Sequence, residues 1–351
     1  MSKVKVAMIG GGRIGASHIE GILNSADYAE VGGIVDVNKE IADQVAEKYQ
    51  IPRFYSIEEA LKDESIDAFV IGLPHNLHYP VGKQLLKARK HVLMEKPLAI
   101  TLNEVESLIQ IARENNVTLM SGQSRRYYVA VQEAKNCLKE IEGPTNMLYN
   151  FAPIFTKESA PPWWQEEKKT GGLVLGMIGS HTIDLTLWMF EGKKPVRIYC
   201  ETRRISDVFE GDDAASLIIT FDDGTIATNY MSISNDPYRH ECLIEGRKGS
   251  IYFSHFGDHI GTIGVSSTDL FVNGEKRETK EEPDCFTVQM SEFTESILKN
   301  RQPLTSGENV YLTYLLIEAA KLSAKEHVPI NINEFMKNHT KDQILLKRYG
   351  Y

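Results

Sequence analysis

Three glycines near the amino end of the chain have the spacing of a phosphate-binding turn. The apolar segment Val4–Ile9 runs directly into Gly10, Gly12 and Gly15, and a helical pattern follows at once. In such a turn the first glycine allows the tight bend out of a strand, the second lets a pyrophosphate approach the backbone, and the third lets the helix pack closely. The free N–H groups and the positive dipole end of that helix attract phosphate oxygens. The spacing therefore predicts a turn that binds the pyrophosphate of a dinucleotide.

An acidic residue follows at the expected distance. A second apolar strand, Val31–Val35, ends at Asp36, about 20 residues beyond the last glycine. A carboxylate there accepts hydrogen bonds from both hydroxyls of an adenosine ribose and repels a 2′-phosphate, so it favours NAD over NADP. Lys39 or Arg13 could still meet a phosphate. The competing interpretation is an ordinary glycine-rich turn, with Asp36 as a helix N-cap.

Lys96 lies in a segment whose residue types suit proton transfer. Glu95-Lys96-Pro97 follows the strand pattern His91–Met94, and Pro97 pushes the preceding lysine into extended geometry. Partial burial and a nearby positive nicotinamide would lower the pKa of the lysine and make it usable as an acid or base. A lysine before a proline is usually a solvated surface residue, but its place at the end of this strand favours a catalytic role.

A histidine and an aspartate form a second candidate group, within the segment Gly171–Asp184. If this segment is helical, His181 and Asp184 are three residues apart and share a face, with Met177 four residues before the histidine. A lone histidine on a helix is more often a satisfied core or surface residue. An aspartate one turn away, after a glycine pair, raises the expectation of a functional role.

The elements that position these residues follow from the hydrophobic pattern of the first 120 residues, which alternates between strand and helix. Strands are expected at Lys3–Ile9, Glu30–Val35, Ala68–Ile71, His91–Met94 and Thr118–Met120, and helices at Ile14–Asn24, Lys39–Tyr49, Ile57–Leu61, Tyr79–Ala88 and Leu102–Glu114. This alternation predicts a parallel sheet with helices on both faces. Because ligands bind at the carboxyl ends of such strands, Gly10, Asp36, Leu73–Asn76 and Glu95–Pro97 are expected to converge on one edge.

The pattern changes after Gly122, where hairpin signals dominate. A helix is expected at Val129–Glu140, and strands at Asn146–Phe151, Val196–Thr202, Ala214–Phe221, Ile226–Ser232, Glu241–Glu245 and Gly249–Ser254. Asp223-Gly224 and Asn273-Gly274 each separate two strand-like runs, which predicts antiparallel hairpins and a second sheet. Helices are expected at Val288–Leu298 and Asn309–Ser323, and the pattern after about Asn333 is weak. We therefore expect an α/β protein with a dinucleotide-binding domain over residues 1–122 and a second domain over residues 123–351.

Composition excludes several classes of protein. The chain has 351 residues and a net charge of −9 without a long basic run, so nucleic acid is not an expected partner. No signal peptide and no membrane-spanning segment are expected, and no metal site is recognisable. The four cysteines are widely scattered, which favours reduced thiols in a cytoplasmic protein.

These motifs in this order resemble the glucose–fructose oxidoreductase, inositol dehydrogenase and rhizopine-catabolism (Gfo/Idh/MocA) oxidoreductase family over nearly the whole chain. The matching segments are Gly10–Gly15, Pro74–His78, Lys90–Leu98, Ser124–Tyr127, Gly171–Asp184, Glu292-Phe293 and Pro303–Glu308. The resemblance implies a Rossmann domain and an α/β domain with a large, mostly antiparallel open sheet for substrate binding and oligomerisation. It also implies hydride transfer between NAD and a hydroxyl-bearing carbon of a sugar, inositol or related cyclic polyol.

The resemblance also implies roles for individual residues. Lys96 and His181 would flank the reacting oxygen as catalytic residues, and Asp184 would bind substrate or support the histidine. The candidate cofactor-binding residues are Gly10, Gly12, Arg13, Ile14, Gly15, Asp36, Pro74, Asn76, His78, Glu95 and Lys96. The candidate substrate-binding residues are Asp184, Arg126, Tyr127, Trp163 and Trp164. The aromatic side chains would pack on sugar rings and Arg126 would meet an anionic group, with core filling and a structural ion pair as the alternatives.

One position departs from the family pattern, which usually has an aspartate four residues before the histidine. Here that residue is Met177. Either Lys96 and His181 carry the proton relay alone, or a substrate hydroxyl replaces the carboxylate, or the protein is a slow or non-catalytic member. The leading hypothesis is a cytoplasmic NAD-dependent dehydrogenase that forms a homodimer or homotetramer through residues 196–275. The alternatives are a non-catalytic NAD- and sugar-binding regulator and a glycosidase that uses NAD transiently.

Overall fold

Two β-sheets organise the part of the chain that the computed structural model describes, which is residues 3–234, 238–255, 268–279 and 283–350. The first unit consists of the residues up to Tyr127 together with Pro283–Val310. The second unit runs from Tyr128 to residue 282 and resumes at Tyr311. The first unit therefore takes in a late segment of the chain besides the consecutive amino-terminal residues.

The elements follow one another along the chain in an order that changes from alternating to strand-rich. The first part contains β1 (Val4–Ile9), α1 (Arg13–Asn24), β2 (Ala29–Val35), α2 (Lys39–Tyr49), β3 (Arg53–Phe54), α3 (Ile57–Ala60), β4 (Ala68–Ile71), α4 (His75–Lys87), β5 (His91–Met94), α5 (Leu102–Glu114) and β6 (Leu119–Ser121). The next part contains α6 (Val129–Cys137), β7 (Asn146–Ala152), α7 (Glu167–Thr170), α8 (Leu173–Met177), α9 (Gly179–Met189), β8 (Pro195–Arg203), β9 (Ala214–Phe221), β10 (Ile226–Ser232), β11 (Arg239–Gly246), β12 (Gly249–His255), β13 (Thr268–Val272) and β14 (Glu275–Arg277). The last part contains α10 (Cys285–Leu298), α11 (Gly307–Glu326), β15 (Ile330–Asn331), α12 (Ile332–His339) and α13 (Gln343–Arg348), and 3₁₀ turns cover Ser124–Tyr127 and Pro162–Gln165.

The sheet of the first unit is parallel, as the alternation predicts, with strand order β3-β2-β1-β4-β5-β6. The order reverses direction at β1, so the carboxyl ends of β1 and β4 flank the crevice in which ligands of such sheets bind. Several element ends in this part of the chain differ from expectation by one residue, and two differences are larger. Helix α4 begins at His75, four residues before the expected Tyr79, because Pro80 lies inside the helix and mimics a boundary. Strand β3 has two residues, too few for a periodic signal.

The sheet of the second unit has nine strands in the order β14-β13-β12-β11-β7-β10-β9-β8-β15. All its pairs are antiparallel except β7 with β10, and both expected hairpins, β9–β10 and β13–β14, are present. Alternate residues of the strands are buried, and helices of the same unit pack on that buried face. The carboxyl-terminal residues, whose pattern is weak, form α12 and α13 behind the side-chain caps Asn331 and Asp342.

Candidate active site

The glycine turn has the geometry that its spacing predicts. Gly10 has a φ of +98°, and a Cβ on Gly15 would lie 2.4 Å from the carbonyl oxygen of Gly10, so the turn and the helix α1 are pressed together. A Cβ on Gly12 would meet no described atom within 4 Å, so its Cα faces open space at the start of α1. That space lies in front of the helix amino terminus, where an anion is stabilised.

Asp36 is tied to this turn. Its Oδ2 accepts a hydrogen bond from the N–H of Gly11 at 2.8 Å, and its Oδ1 accepts one from the N–H of Asn38 at 2.9 Å. The N-cap of α2 is Asn38, whose side chain accepts from Glu40 and Ile41. Asp36 therefore joins the end of β2 to the glycine turn, and the N-cap interpretation does not describe it.

Two more strand ends are joined by His78. Its Nδ1 lies 2.7 Å from the carbonyl oxygen of Pro97 and its Nε2 lies 2.8 Å from that of Leu73. Burial lowers the pKa of His78, and a neutral ring carries one N–H, so it donates to one of these carbonyls at a time. The side chain thus braces the loop after β5 against the loop after β4. Asn76, on the first turn of α4, is exposed beside Pro74, and direct contact of these three residues with a cofactor stays a prediction.

Glu95 is the central acceptor at the end of β5. Its Oε1 lies 2.8 Å from Nε2 of His18, and its Oε2 accepts from the backbone N–H of Lys96 at 3.2 Å. Burial alone would raise the pKa of this carboxyl, but the hydrogen bond from His18 and the charge of Lys96 hold the pKa below its ordinary value. Glu95 is therefore a carboxylate at neutral pH.

Lys96 combines partial burial with a mixed electrostatic environment. Burial lowers the pKa of Lys96 to about 8, the Glu95 carboxylate opposes this change, and the charges of Arg125 and Arg13 add to it. The bond between Lys96 and Pro97 is cis. An ammonium group with this pKa exchanges protons readily near neutral pH, as the sequence leads us to expect of a general acid or base.

The two arginines after β6 differ in their surroundings. Arg125 acts on Lys96 through its charge, whereas Arg126 is 5% exposed and its N–H bonds the carbonyl of Gln123. The choice of Arg126 as a substrate contact stays a prediction. The effect of Arg125 on Lys96 was not expected, because two adjacent arginines give no signal for which one lies nearer to the lysine.

Tyr127 is buried in the first unit. Thr305 donates its hydroxyl hydrogen to the carbonyl of Ser121 at 2.8 Å, so the hydroxyl of Tyr127 is the donor in its 2.9 Å bond to Thr305. Tyr127 thus fastens the 3₁₀ turn to the segment before α11. Its predicted contact with substrate remains a prediction.

In the second unit His181 and Asp184 share a face of α9, as the spacing predicts. The backbone leaves α8 at Met177 and enters α9 at Gly179, so the histidine lies in the first turn. His181 is 8% exposed, and Asp184 is 1% exposed with its Oδ1 accepting from the Thr313 hydroxyl at 3.2 Å. The aspartate is thus held to α11.

His240 is a buried neighbour that sequence reasoning missed. It lies directly opposite Phe151 in the β7–β11 register, and the two rings stack with centroids 4.2 Å apart. Phe151 also presents an edge contact to His181 at 6.0 Å, and Nε2 of His240 lies 3.0 Å from the Tyr149 hydroxyl. Since the register of these strands is a long-range property, no local signal could have placed His240 near His181.

The two tryptophans form part of an aromatic group in the second unit. Trp164 lies edge-to-face with Phe155 at 4.7 Å and with Trp163 at 6.0 Å. Both indoles are partly exposed, but Nε1 of Trp164 is itself buried and has no hydrogen-bond partner among the described residues. The group therefore offers flat aromatic surface rather than an accessible N–H donor.

Comparisons with known proteins agree with this geometry. Residues 4–123 match the model of the oxidoreductase family with an NAD-binding Rossmann fold, GFO/IDH/MocA, and residues 146–252 match the C-terminal domain of the same family. Myo-inositol 2-dehydrogenase of Thermotoga maritima is 26% identical over 342 residues, covering 94% of this chain and 99% of that protein. Trans-1,2-dihydrobenzene-1,2-diol dehydrogenase of Xenopus laevis is 31% identical over 69% of each chain. The crystal structure of aldose-aldose oxidoreductase from Caulobacter crescentus superposes with a TM-score of 0.82 at 22% identity, over 94% of this chain and all of that one, and shows the same fold.

Proposed function

Because this chain belongs to the GFO/IDH/MocA oxidoreductase family, whose amino-terminal domain binds NAD, we propose that it transfers hydride between NAD and a hydroxyl-bearing carbon of a sugar, inositol or related cyclic polyol. The observation that carries the proposal is Lys96, partly buried at the carboxyl edge of the parallel sheet with its pKa lowered to about 8. The inositol dehydrogenase among the relatives supports the substrate class.

The residues of the first unit fit NAD. The open space in front of Gly12 and the start of α1 suit a pyrophosphate. Asp36 retains lone pairs beyond its two backbone bonds and adds a negative charge, which suits a ribose with two hydroxyls and disfavours a 2′-phosphate. Lys39, which could instead meet a 2′-phosphate, is exposed, and its Nζ lies 5.1 Å from the centroid of the Tyr55 ring.

When bound, NAD supplies the acceptor for a hydride from the carbon that is oxidised. The task left to the chain is the proton of the hydroxyl, and we assign it to Lys96 and His181. A neutral Lys96 amine accepts the proton in oxidation, and the ammonium donates it in reduction. The partly exposed Trp163 and Trp164 rings suit the apolar faces of a sugar ring.

Met177 favours a second candidate, a protein that binds NAD and a sugar without turnover. Its buried side chain, 2% exposed, supplies no carboxylate at the position where the family resemblance leads us to expect one. Lys96 and His181 argue for the first candidate.

The experiment that separates them is a substrate screen. Purified protein is incubated with NAD and a panel of inositols, hexoses, sugar phosphates and amino sugars, and NADH absorbance is followed beside a thermal-shift measurement of binding. Turnover supports the dehydrogenase, whereas binding of a sugar and NAD without NADH formation supports the regulator. Release of an aglycone from a glycoside without net NADH identifies a glycosidase.

We also propose that the chain forms a homodimer or homotetramer through the open face of its second sheet. Residues that are paired in register form a row across seven strands, namely Phe271, Tyr252, Leu243, Leu148, Thr228, Ile218 and Tyr199. All are partly or fully exposed, with Leu148 at 51% and Ile218 at 43%. A contiguous apolar face of this kind favours a partner. Residues 235–237 and 256–267 of the expected interface region lie outside the described residues.

The four cysteines are buried and none forms a disulfide, which supports a cytoplasmic location, where thiols stay reduced. Cell fractionation checks this proposal. In the described part of the chain no helix has the length and apolar character to cross a membrane.

A further inference from the structure

A buried histidine of α1 contacts the candidate catalytic loop from behind. His18 has no exposed surface, and its Nε2 lies 2.8 Å from Oε1 of Glu95, although 77 residues separate the two. The other side of the imidazole meets the ring of Phe286 on α10 edge-to-face, with centroids 5.0 Å apart. Packing thus fixes the plane of the imidazole that faces the carboxylate.

The chemistry of the pair defines which atom donates. Glu95 is a carboxylate, so Nε2 of His18 donates and Oε1 accepts. Nδ1 of His18 has no hydrogen-bond partner among the described residues. The bond to Glu95 is therefore the side-chain hydrogen bond that this imidazole makes within the described part of the chain.

Glu95 is held from three sides. His18 binds one oxygen, the backbone N–H of Lys96 binds the other, and a Cβ on Gly122 would lie 3.0 Å from Oε1. We propose that His18 is a positioning residue that holds the Glu95 carboxylate ionised and in place, and so keeps one negative charge beside the Lys96 ammonium. This inference rests on the proposed function, in which Lys96 handles the proton.

The consequence for Lys96 follows from the groups that face it. Glu95 raises the pKa of Lys96, whereas burial and the charges of Arg125 and Arg13 lower it. His78, from α4, is also close enough to interact with Glu95 and Lys96. Without the hydrogen bond from His18, burial favours the protonated, neutral form of Glu95. Lys96 then loses the negative charge that opposes the effect of the two arginine charges on its pKa. The pKa of Lys96 then falls below about 8.

Three substitutions of His18 test this directly. His18→Leu removes the hydrogen-bond donor. The amide N–H of His18→Gln lies at about the same distance from the backbone as Nε2 and can still reach Glu95. His18→Asn is also polar, but its side chain is too short for its N–H to reach Glu95. The pKa of Lys96 is read from the full-length protein by ¹³C reductive methylation and NMR titration, and the resonance is assigned by its loss in Lys96→Gln. We expect a fall of about one unit in His18→Leu and in His18→Asn, the scale of one nearby charge, and little change in His18→Gln.

Activity supplies the second readout. The pH profile of kcat/KM on a verified substrate should move with the titration of Lys96 and recover in His18→Gln. An unchanged pKa of Lys96 in folded His18→Leu overturns the positioning role. If His18→Leu does not fold, equal titrations in His18→Gln and His18→Asn overturn it. A shifted pKa with an unshifted profile supports the positioning role and rejects Lys96 as the proton-transfer group.

Discussion

Charges around Lys96 set how much of its amine is available at neutral pH. With a pKa of about 8, about a tenth of the lysine is neutral at pH 7, compared with less than a thousandth at its usual value of 10.5. Partial burial thus changes Lys96 from a side chain that is almost entirely charged at pH 7 to one that can accept a proton at that pH. The charged form of Lys96 is less well solvated in this position, and the nearby Glu95 carboxylate offsets part of this loss of solvation.

The rate of alcohol oxidation should reflect this titration. The lysine must be neutral to accept a proton, so kcat/KM should rise as the pH increases through about 8 and then level off. An arginine cannot lose its proton in this pH range, so the rise in rate near pH 8 should be absent in Lys96→Arg. A pH profile of NADH formation checks this, with the exposed Lys87→Arg as the matched control. If the rate of Lys96→Arg still rises with pH as in the wild-type protein, the titration of Lys96 is not the cause of that rise.

Removal of either proton-transfer group should slow turnover without loss of the cofactor. We expect Lys96→Ala and His181→Ala each to lower kcat by about 10²–10⁴, the usual contribution of a general acid or base. NAD affinity should persist, because the proposed phosphate and ribose contacts are at Gly12 and Asp36. Steady-state kinetics and NAD titration by calorimetry measure the two quantities separately. If kcat of Lys96→Ala on a verified substrate equals that of the wild-type protein, Lys96 does not transfer the proton and has only a structural role.

We predict that the preference for NAD over NADP depends on Asp36. We expect kcat/KM to be larger with NAD than with NADP. Asp36→Asn keeps an acceptor for the Gly11 N–H but removes the charge that repels a 2′-phosphate, so the preference should fall about tenfold, equivalent to ~1.4 kcal/mol. Asp43→Asn on the exposed surface of α2 is the control. A wild-type ratio below one would contradict this assignment.

At the scale of elements, the β1–α1 turn contains one glycine that the packing requires and another that borders the proposed pyrophosphate site. Gly15 lets α1 lie against the carbonyl of Gly10, whereas Gly12 borders open space with an ordinary φ of −68°. The first residue is needed to build the turn, and the second is needed to leave room in front of it.

Alanine at these two positions should therefore change different properties: stability at position 15 and NAD binding at position 12. Gly15→Ala should lower the free energy of unfolding by about 1–3 kcal/mol, because its methyl group would lie 2.4 Å from a carbonyl oxygen. Gly12→Ala should change stability by less than about 0.5 kcal/mol but weaken NAD binding, since the methyl group enters the space of the pyrophosphate. Urea unfolding of the apo protein and NAD titration distinguish them. Equal stability losses would refute the division.

At the scale of the whole molecule, the second sheet places helices on one face and a row of apolar and tyrosine side chains on the other. Its extent across seven strands, rather than any one side chain, is what favours a second copy as the cover. The sheet would then serve both as support for α9 and as an interface.

Charged residues in the middle of this face should dissociate the assembly. Leu148→Lys combined with Ile218→Lys places two like charges near the centre of the row, so we expect a monomer at micromolar concentration. Ile344→Lys on α13, where the side chain is 53% exposed, is the matched control and should leave the assembly intact. Light scattering measures the mass. A monomeric wild-type protein would remove the proposed interface.

Much of the fold was readable from the sequence because it is encoded locally. Helices α2 and α5 and strands β4, β5, β9 and β10 have the expected bounds, since apolar periodicity and turn residues act over a few positions. Asp36 was found the same way, because the distance from a glycine turn to the end of the next strand is nearly constant.

Tertiary structure alone decided the partners of these residues. The contact between His18 and Glu95, the stacking of His240 on Phe151, and the return of α10 to the first unit each join residues far apart in sequence. The choice of Arg125 over its neighbour at Lys96 belongs to the same class. Periodicity reports which face of an element is buried, whereas the register of strands and the packing of helices determine what that face meets.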